Sequence, residues 1–400
     1  MAFFRNNTVN LLNLHYGIHA LALSGGGAFF AVFLLRAGVP APAVLASFAA
    51  ILGGRFLIRP FILPAAKRFG LKPLFIIGTL ATGLQYPLLA NVHGIGPALY
   101  ILLCTSSVAD TIYWTTYHAY FASLGDKEHR GHQIGAREAI ASVIGIVGPL
   151  ITGWTLTSFG PHIAFGATAV VLMFAAIPIF WTPNVPIPQE APGLFKSARG
   201  SMLIFAADSW SAAGYYFCWQ IALFISLGEN FAKFGGAMAI AAFVGAVLGL
   251  LLGRSIDAGH GKRAVWFAAG THGANVILRA ASFGHPLFAV IANATGALVT
   301  AFYVPTMMTA VYNEAKNSPC VMRFHIATEA SWDAGGASAC LVAAALLWAG
   351  ASLSYGILLA LGGTISMFIL LRRYYSENEQ QVSAVLPVFD APIYEVEEKL

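Results

Sequence analysis

Two short stripes of ionisable residues interrupt apolar segments of the chain. Arg55 and Arg59 are four residues apart, as are Glu329 and Asp333, so each pair would lie on one face of a helix. His325 extends the second stripe by one turn. A charge at the centre of a membrane-spanning helix costs about 2.5–3.5 kcal/mol, so these side chains need partners or water. Such residues can form ion pairs, and the carboxylates can also bind protons.

A third group with chemical potential lies between positions 110 and 117. Asp110, Tyr113, Trp114 and Tyr117 recur at helical spacing, so one helix face is acidic at one end and aromatic after it. Two interpretations are open. Asp110 is a proton or substrate site beside an aromatic wall, or the rings pack internally and Asp110 is hydrogen-bonded within its own half of the chain.

A fourth group consists of Asp208, Tyr215 and Trp219 on one helix face, with Gln220 beside it. Carboxylate and aromatic side chains arranged in this way are suited to lining a substrate cavity. The alternative is that Asp208 caps or hydrates the end of its own helix.

Other polar residues carry weaker signals. His15 and His19 have a spacing that could bind a metal, but no third ligand is near in sequence, so neither a metal nor a cofactor is expected. Arg279 lies near a predicted helix end, and we expect its long side chain to extend to the interface with water.

The elements that position these groups must be membrane helices. The chain has 400 residues, of which 58% are hydrophobic and only 10% charged. A soluble domain carries about 25% charged residues. Apolar runs of about 20 residues recur along the chain, which is the length of a membrane-spanning helix. Their limits predict twelve helices: 11–36, 41–64, 73–92, 97–122, 134–158, 163–182, 201–226, 234–256, 264–283, 287–312, 323–349 and 352–371.

Basic residues are distributed unequally between the two predicted sides of the membrane. One set of alternate helix ends holds 16 lysines and arginines, and the other holds only Arg36 and Lys233. Positive residues favour the cytoplasmic side, so both termini are predicted to be cytoplasmic. The net charge of +5 follows from this topology, and no nucleic-acid binding is expected.

The chain divides near its middle. We predict a six-helix bundle over 1–183, a proline-rich linker over 184–200, a second bundle over 201–373 and a disordered tail over 374–400. Tyr113 and Tyr303 match at an offset of about 190 residues, as do the loops that follow Leu63 and Gly253, which indicates an internal repeat.

One loop between predicted helices carries a family signature. It contains Gly253, Asp257, Gly261, Lys262 and Arg263, and it resembles the loop motif of the major facilitator superfamily, although one extra residue precedes the second glycine. In the first half, Lys67 stands where that motif has its aspartate. The segment from Gly148 to Gly153 is similar to a glycine-proline element of the family's antiporters.

The resemblance implies an all-α integral membrane fold with two pseudo-symmetric bundles of six helices. In that fold the second and eleventh helices meet across the halves, so Arg55 and Arg59 would face Glu329 and Asp333. Such an ion pair would form a gate that protonation weakens, or else a static structural pair. The resemblance also implies that Asp257 latches the cytoplasmic side.

These features predict a secondary active transporter of a small organic solute that works by alternating access and is coupled to protons. Arg55 and Arg59 favour an organic anion as the substrate, whereas Asp110 and Asp208 with their aromatic neighbours favour an amphipathic, drug-like cation. We expect a monomer in the lipid bilayer, with the bacterial inner membrane as its location, operating as a symporter or an antiporter and not as an enzyme. The alternatives are a non-transporting sensor or lipid scramblase on the same fold, and a membrane-embedded transferase.

Overall fold

The computed structural model describes residues 6–124, 130–187, 190, 193–256 and 261–385. Within these ranges the chain forms twelve consecutive helices and no β-strand. Their bounds are α1 (Asn7–Arg36), α2 (Ala41–Phe69), α3 (Leu71–Ala90), α4 (Pro97–Leu124), α5 (Arg130–Ser158), α6 (Pro161–Trp181), α7 (Leu194–Ala212, Ala213–Cys218 and Trp219–Ser226), α8 (Phe231–Ile256), α9 (Gly261–Ser282), α10 (Pro286–Lys316), α11 (Val321–Trp348) and α12 (Leu353–Leu358 and Ala360–Val385).

The helices match the predicted membrane architecture. Within the described ranges, eight helices are long and apolar enough to cross a bilayer: α1, α2, α3, α6, α8, α10, α11 and α12. Many large apolar side chains on the outside remain exposed, such as Leu57, Phe61 and Trp181, because lipid rather than protein covers them. The prediction of an all-α integral membrane protein is therefore confirmed.

The helix pairings repeat between the two halves. In the first half α1 packs on α5 and α6, α2 packs on α4, and α3 packs on α4 and α6. The second half repeats each of these pairs with every helix number raised by six. Between the halves α2 packs on α11 and α5 packs on α8. Replacing each helix by its equivalent in the other half converts one of these pairs into the other. The fold is thus two six-helix bundles related by a pseudo-two-fold axis.

Several helix ends differ from the predicted ones. Helix α7 begins at Leu194, inside the predicted linker, because Gly193 adopts a left-handed conformation with φ 75° that ends the preceding irregular segment. Helix α12 continues past Arg373 to Val385, and Arg373 and Glu377 form an ion pair one turn apart. These starts and ends depend on local capping and side-chain pairs, which apolar run length does not report.

The paired bundles have two ends. The terminal face is the end at which α1 begins and α12 ends, and the far face is the end at which α1 stops at Arg36. At the far face Arg36 and Glu229 approach to 3.7 Å between the halves, and Phe29 of α1 packs against Phe234 of α8 with ring centroids 5.3 Å apart. The two bundles are therefore in contact at the far face.

Glycines allow α5 and α8 to approach each other closely near the far face. A Cβ added to Gly153 would lie 2.6 Å from the carbonyl oxygen of Phe231, and one added to Gly235 would clash with the carbonyl oxygen of Pro149. Gly148, in the same element as Pro149 and Gly153, is similarly close to Ser24 of α1. The glycine-proline element therefore packs α5 between α1 of its own half and α8 of the other half.

Candidate functional site

Four charged side chains meet where α2 of the first half packs on α11 of the second. Arg55 Nε lies 2.9 Å from Asp333 Oδ1, and Arg55 Nη2 lies 3.6 Å from Glu329 Oε2. Arg59 Nε donates a 2.9 Å hydrogen bond to Asp333 Oδ2, and its Nη2 also contacts both carboxylates. We call these four residues the charge cluster.

The charge cluster is shielded from solvent and electrically balanced. Arg59 and Asp333 are fully buried, while Arg55 and Glu329 are 7% and 8% exposed. Two guanidinium groups face two carboxylates, so each buried charge is close to one of opposite sign. The sequence-based prediction that the two stripes face each other across the halves is confirmed.

Helix α4 supplies further partners to the charge cluster. Thr115 accepts a 2.9 Å hydrogen bond from Arg59 Nη1. His118 Nε2 lies 3.8 Å from Glu329 Oε1, and the ring of His118 stacks on that of His325 with centroids 5.9 Å apart. The carboxylate of Glu329 therefore has two arginines on one side and a titratable histidine on the other.

Asp110 lies near the charge cluster but pairs within its own half. Its Oδ1 accepts a 2.9 Å hydrogen bond from Gln85 Nε2 of α3, and its charge also acts on Arg55. Asp110 is half-buried. It is therefore placed to exchange interactions with the charge cluster through Arg55.

Asp208 is held by two aromatic donors. Its Oδ1 accepts a 2.7 Å hydrogen bond from Tyr303 Oη of α10, and its Oδ2 accepts a 2.9 Å hydrogen bond from Trp332 Nε1 of α11. The indole of Trp332 also lies under the Arg55 guanidinium, 5.6 Å from the ring centroid. Trp332 thus contacts both Asp208 and the charge cluster.

A π-helical segment, Ala213–Cys218, interrupts α7 and carries Tyr215. Such segments leave backbone carbonyls without their usual helical partners, and they are often found at functional sites. Arg279 of α9 donates a 2.6 Å hydrogen bond from Nη1 to the Tyr215 carbonyl. Its guanidinium lies over the rings of Tyr215 and Trp219, at 3.8 and 5.0 Å from their centroids. Arg279 therefore holds α9 against the π-helical segment of α7.

The prediction that Arg279 extends to water is wrong. Its residue is only 5% exposed, although it lies one turn from the end of α9. The reason is that the π-helical carbonyl and two aromatic faces offer the guanidinium partners inside the bundle. Sequence position near a helix end does not reveal such partners on another helix.

We expect Arg279→Lys to lower the free energy of unfolding by about 2 kcal/mol, because a hydrogen bond from a charged group contributes about 1.5–3 kcal/mol. Lysine also lacks the planar group that stacks on Tyr215 and Trp219. Thermal unfolding in detergent measures the effect, with the exposed Arg36→Lys as the control. Equal melting temperatures for both variants would show that Arg279 does not hold the π-helical segment.

Tyr113 and Tyr117 lie inside the first bundle. Tyr113 is fully buried, its hydroxyl is 3.0 Å from His15 Nε2, and its ring stacks on His19 with centroids 4.0 Å apart. Tyr117 is also buried, whereas Trp114 is half-buried beside them. In both bundles a tyrosine of the fourth helix thus contacts a polar residue of the first helix. Tyr113 contacts His15, and Tyr303 contacts Asp208.

The remaining predicted residues have varied surroundings. Trp219 is buried and donates a 3.0 Å hydrogen bond to Asn293, while Gln220 is half-buried. Of the loop motif, Asp257 lies outside the described residues, and the surroundings of Gly253, Gly261 and Lys262 are not described either. Arg263 is exposed near the start of α9.

Four residues of the site were not singled out from the sequence as members of a constellation: Gln85, Thr115, His118 and Trp332. Thr115 and Gln85 are polar residues of a kind common in membrane helices. His118 follows Trp114 by one turn, and Trp332 precedes Asp333, so each adjoins a residue that the sequence did mark. That proximity was the available signal.

The paired bundles and the charges buried between them define the chain as a secondary transporter of the membrane. The family model of the Major Facilitator Superfamily matches residues 14–322. The chain belongs to this superfamily.

Solved structures support the same fold. The chain is similar to the POT family transporter PepTSo, whose crystal structure was determined in meso, with a TM-score of 0.67 and 11% sequence identity. The match covers 94% of this chain and 99% of that one. At this identity the likeness concerns the fold alone. No match was found among curated protein sequences.

Proposed function

We propose that this transporter moves a small organic solute by alternating access, that protons drive the movement, and that the charge cluster is its gate. The observation that carries the proposal is the ion pairing of Arg55 and Arg59 with Glu329 and Asp333 across the two bundles. The proposal includes a monomer in the bacterial inner membrane with both termini in the cytoplasm, as the distribution of basic residues indicates.

The position of the charge cluster suits a gate. Transporters of this architecture alternate by rocking one bundle against the other around a site at the interface. Helices α2 and α11 belong to different bundles, so this motion changes the distances within the cluster. Because both arginines are at least nine-tenths buried, separating them from the carboxylates requires water or another partner.

Protons provide a way to lower that cost. Glu329 is faced by Arg55 and Arg59 from α2, by His118 from α4, by His325 and Asp333 from its own helix, and by the charge of Asp208 from α7. When Glu329 binds a proton, the arginines lose one of two counter-charges. Protonation and separation of α2 from α11 therefore favour each other.

Distances at the two faces test the proposal without knowledge of the substrate. Spin labels are attached to His93→Cys and Lys233→Cys at the far face, and in a second protein to Arg68→Cys and Lys316→Cys at the terminal face. All four positions are exposed, and the exposed Cys104 is first replaced by serine. Pulsed electron paramagnetic resonance then gives distance distributions at pH 5 and pH 8.

We expect low pH to lengthen the terminal-face distance, because the charge cluster loosens and the bundles rock about the far face, where they are already in contact. Glu329→Gln should show the low-pH distances at both pH values. The proposal fails if the two distances change in the same direction. It also fails if neither distance responds to the change from pH 8 to pH 5 or to Glu329→Gln.

A further inference from the structure

We propose that Asp208 binds the positively charged group of an organic cation, which makes this a transporter of amphipathic cations. The inference rests on the function proposed above and names its substrate class. The sequence left anionic and cationic substrates open, and the partners of the buried charges favour a cation.

The described arginines within the membrane are engaged by the protein itself. Arg55 and Arg59 are paired with the carboxylates of α11. Arg279 donates to a backbone carbonyl and is covered by the rings of Tyr215 and Trp219. An organic anion would have to displace a buried carboxylate, or to enter between Arg279 and the aromatic rings on it.

Asp208 differs from Arg55 and Arg59 because its hydrogen-bond partners carry no charge. The hydroxyl of Tyr303 and the indole N–H of Trp332 fix the two carboxylate oxygens without neutralising them. In the described part of the chain, no basic side chain lies within ion-pair distance of Asp208. The charged residue that acts on it most is Glu329, another acid. A ligand cation would therefore supply the missing counter-charge.

The surroundings of Asp208 suit a cation that is also apolar. Asp208 is half-buried, unlike the fully buried Asp333. Tyr216, about two turns further along α7, is 54% exposed on the π-helical segment. Aromatic faces attract cations, more strongly where water is excluded. The Arg55 guanidinium over Trp332 already illustrates this interaction at the site.

Two probes of the same size and opposite charge test the proposal: tetraphenylphosphonium and tetraphenylborate. A ligand that binds the folded protein raises its melting temperature by mass action. We expect tetraphenylphosphonium to stabilise the purified full-length protein, and Asp208→Asn to weaken its apparent binding at least tenfold. Asp208→Glu, which keeps the charge, should retain part of the binding.

The control is Glu377→Gln, which removes a single exposed acid of α12 and should leave binding unchanged. Asp208→Asn keeps an oxygen acceptor for Tyr303 or Trp332, so its fold is checked by its melting temperature without ligand. Three results would each overturn the inference. They are tetraphenylphosphonium binding by Asp208→Asn as tight as by the unmodified protein, stabilisation by tetraphenylborate alone, and no stabilisation of the unmodified protein by roughly 1 mM tetraphenylphosphonium. Roughly 1 mM is the weak limit of typical substrate affinities. None of them affects the spin-label test, which is done without ligand.

Discussion

Asp333→Asn is expected to destabilise the protein by about 3–5 kcal/mol, because it leaves buried arginines without their main counter-charge. Asp333 is the only residue of the described chain within 3 Å of guanidinium nitrogens from both Arg55 and Arg59. Both Arg59 and Asp333 are fully buried, so water cannot replace the lost carboxylate without a structural change. Thermal or denaturant unfolding in detergent measures the loss.

A double variant distinguishes the loss of a charge partner from the loss of the side chain itself. In Arg59→Gln with Asp333→Asn, one charge of each sign is removed, so less unbalanced charge stays buried. We expect the double variant to be more stable than Asp333→Asn alone, with a coupling free energy of about 1–3 kcal/mol. Glu229→Gln is the matched control, because its ion pair with Arg36 is exposed and should contribute less than about 1 kcal/mol. Additive effects of the two substitutions would contradict a direct pair.

Gly235→Ala is expected to force α5 and α8 apart near the far face. The new Cβ would fall on the carbonyl oxygen of Pro149, and both atoms belong to helix backbones of different bundles. Neither backbone can yield alone, so relief requires the bundles to separate there. The far-face spin labels at positions 93 and 233 should report a longer distance, and the protein should lose about 1–3 kcal/mol of stability.

Gly236→Ala provides a control on the adjacent residue. A Cβ at Gly236 meets no atom within 4 Å, and both substitutions replace glycine by alanine within one helix. Helix propensity alone would stabilise each by about 1 kcal/mol. We therefore expect Gly236→Ala to keep the far-face distance and to be as stable as the parent protein or more so. Indistinguishable behaviour of the two variants would show that the α5–α8 approach is not tight in solution.

Much of the fold follows from the sequence because membrane helices have few alternatives. Apolar length and the alternation of basic residues locate the twelve helices, and the loop motif indicates how they are arranged. Once α2 and α11 are known to meet, the i, i+4 spacing of Arg55 with Arg59 and of Glu329 with Asp333 places opposite charges together. This prediction depended on charge and periodicity, both of which are visible in one dimension.

The surroundings of the other polar residues depended on tertiary contacts that periodicity does not contain. Asp208 could equally have capped a helix, and only the meeting of α7, α10 and α11 provides Tyr303 and Trp332 as its donors. No residue pattern predicts the π-helical segment of α7, yet this segment provides the carbonyl that accepts the hydrogen bond from Arg279. Tyr113 and Tyr303 match in sequence but contact different residues, His15 in the first half and Asp208 in the second.

Trp332 joins two sites that would otherwise be separate. Its indole N–H holds Asp208, while its ring carries the Arg55 guanidinium. If the charge cluster alters the position of Trp332, ligand binding at Asp208 and proton binding at Glu329 become coupled equilibria. Thermodynamic reciprocity then requires that a proton change ligand affinity by the same factor by which the ligand changes proton affinity. A blocker bound against Trp332 would accordingly change the proton affinity of Glu329 as well as occupy the ligand site.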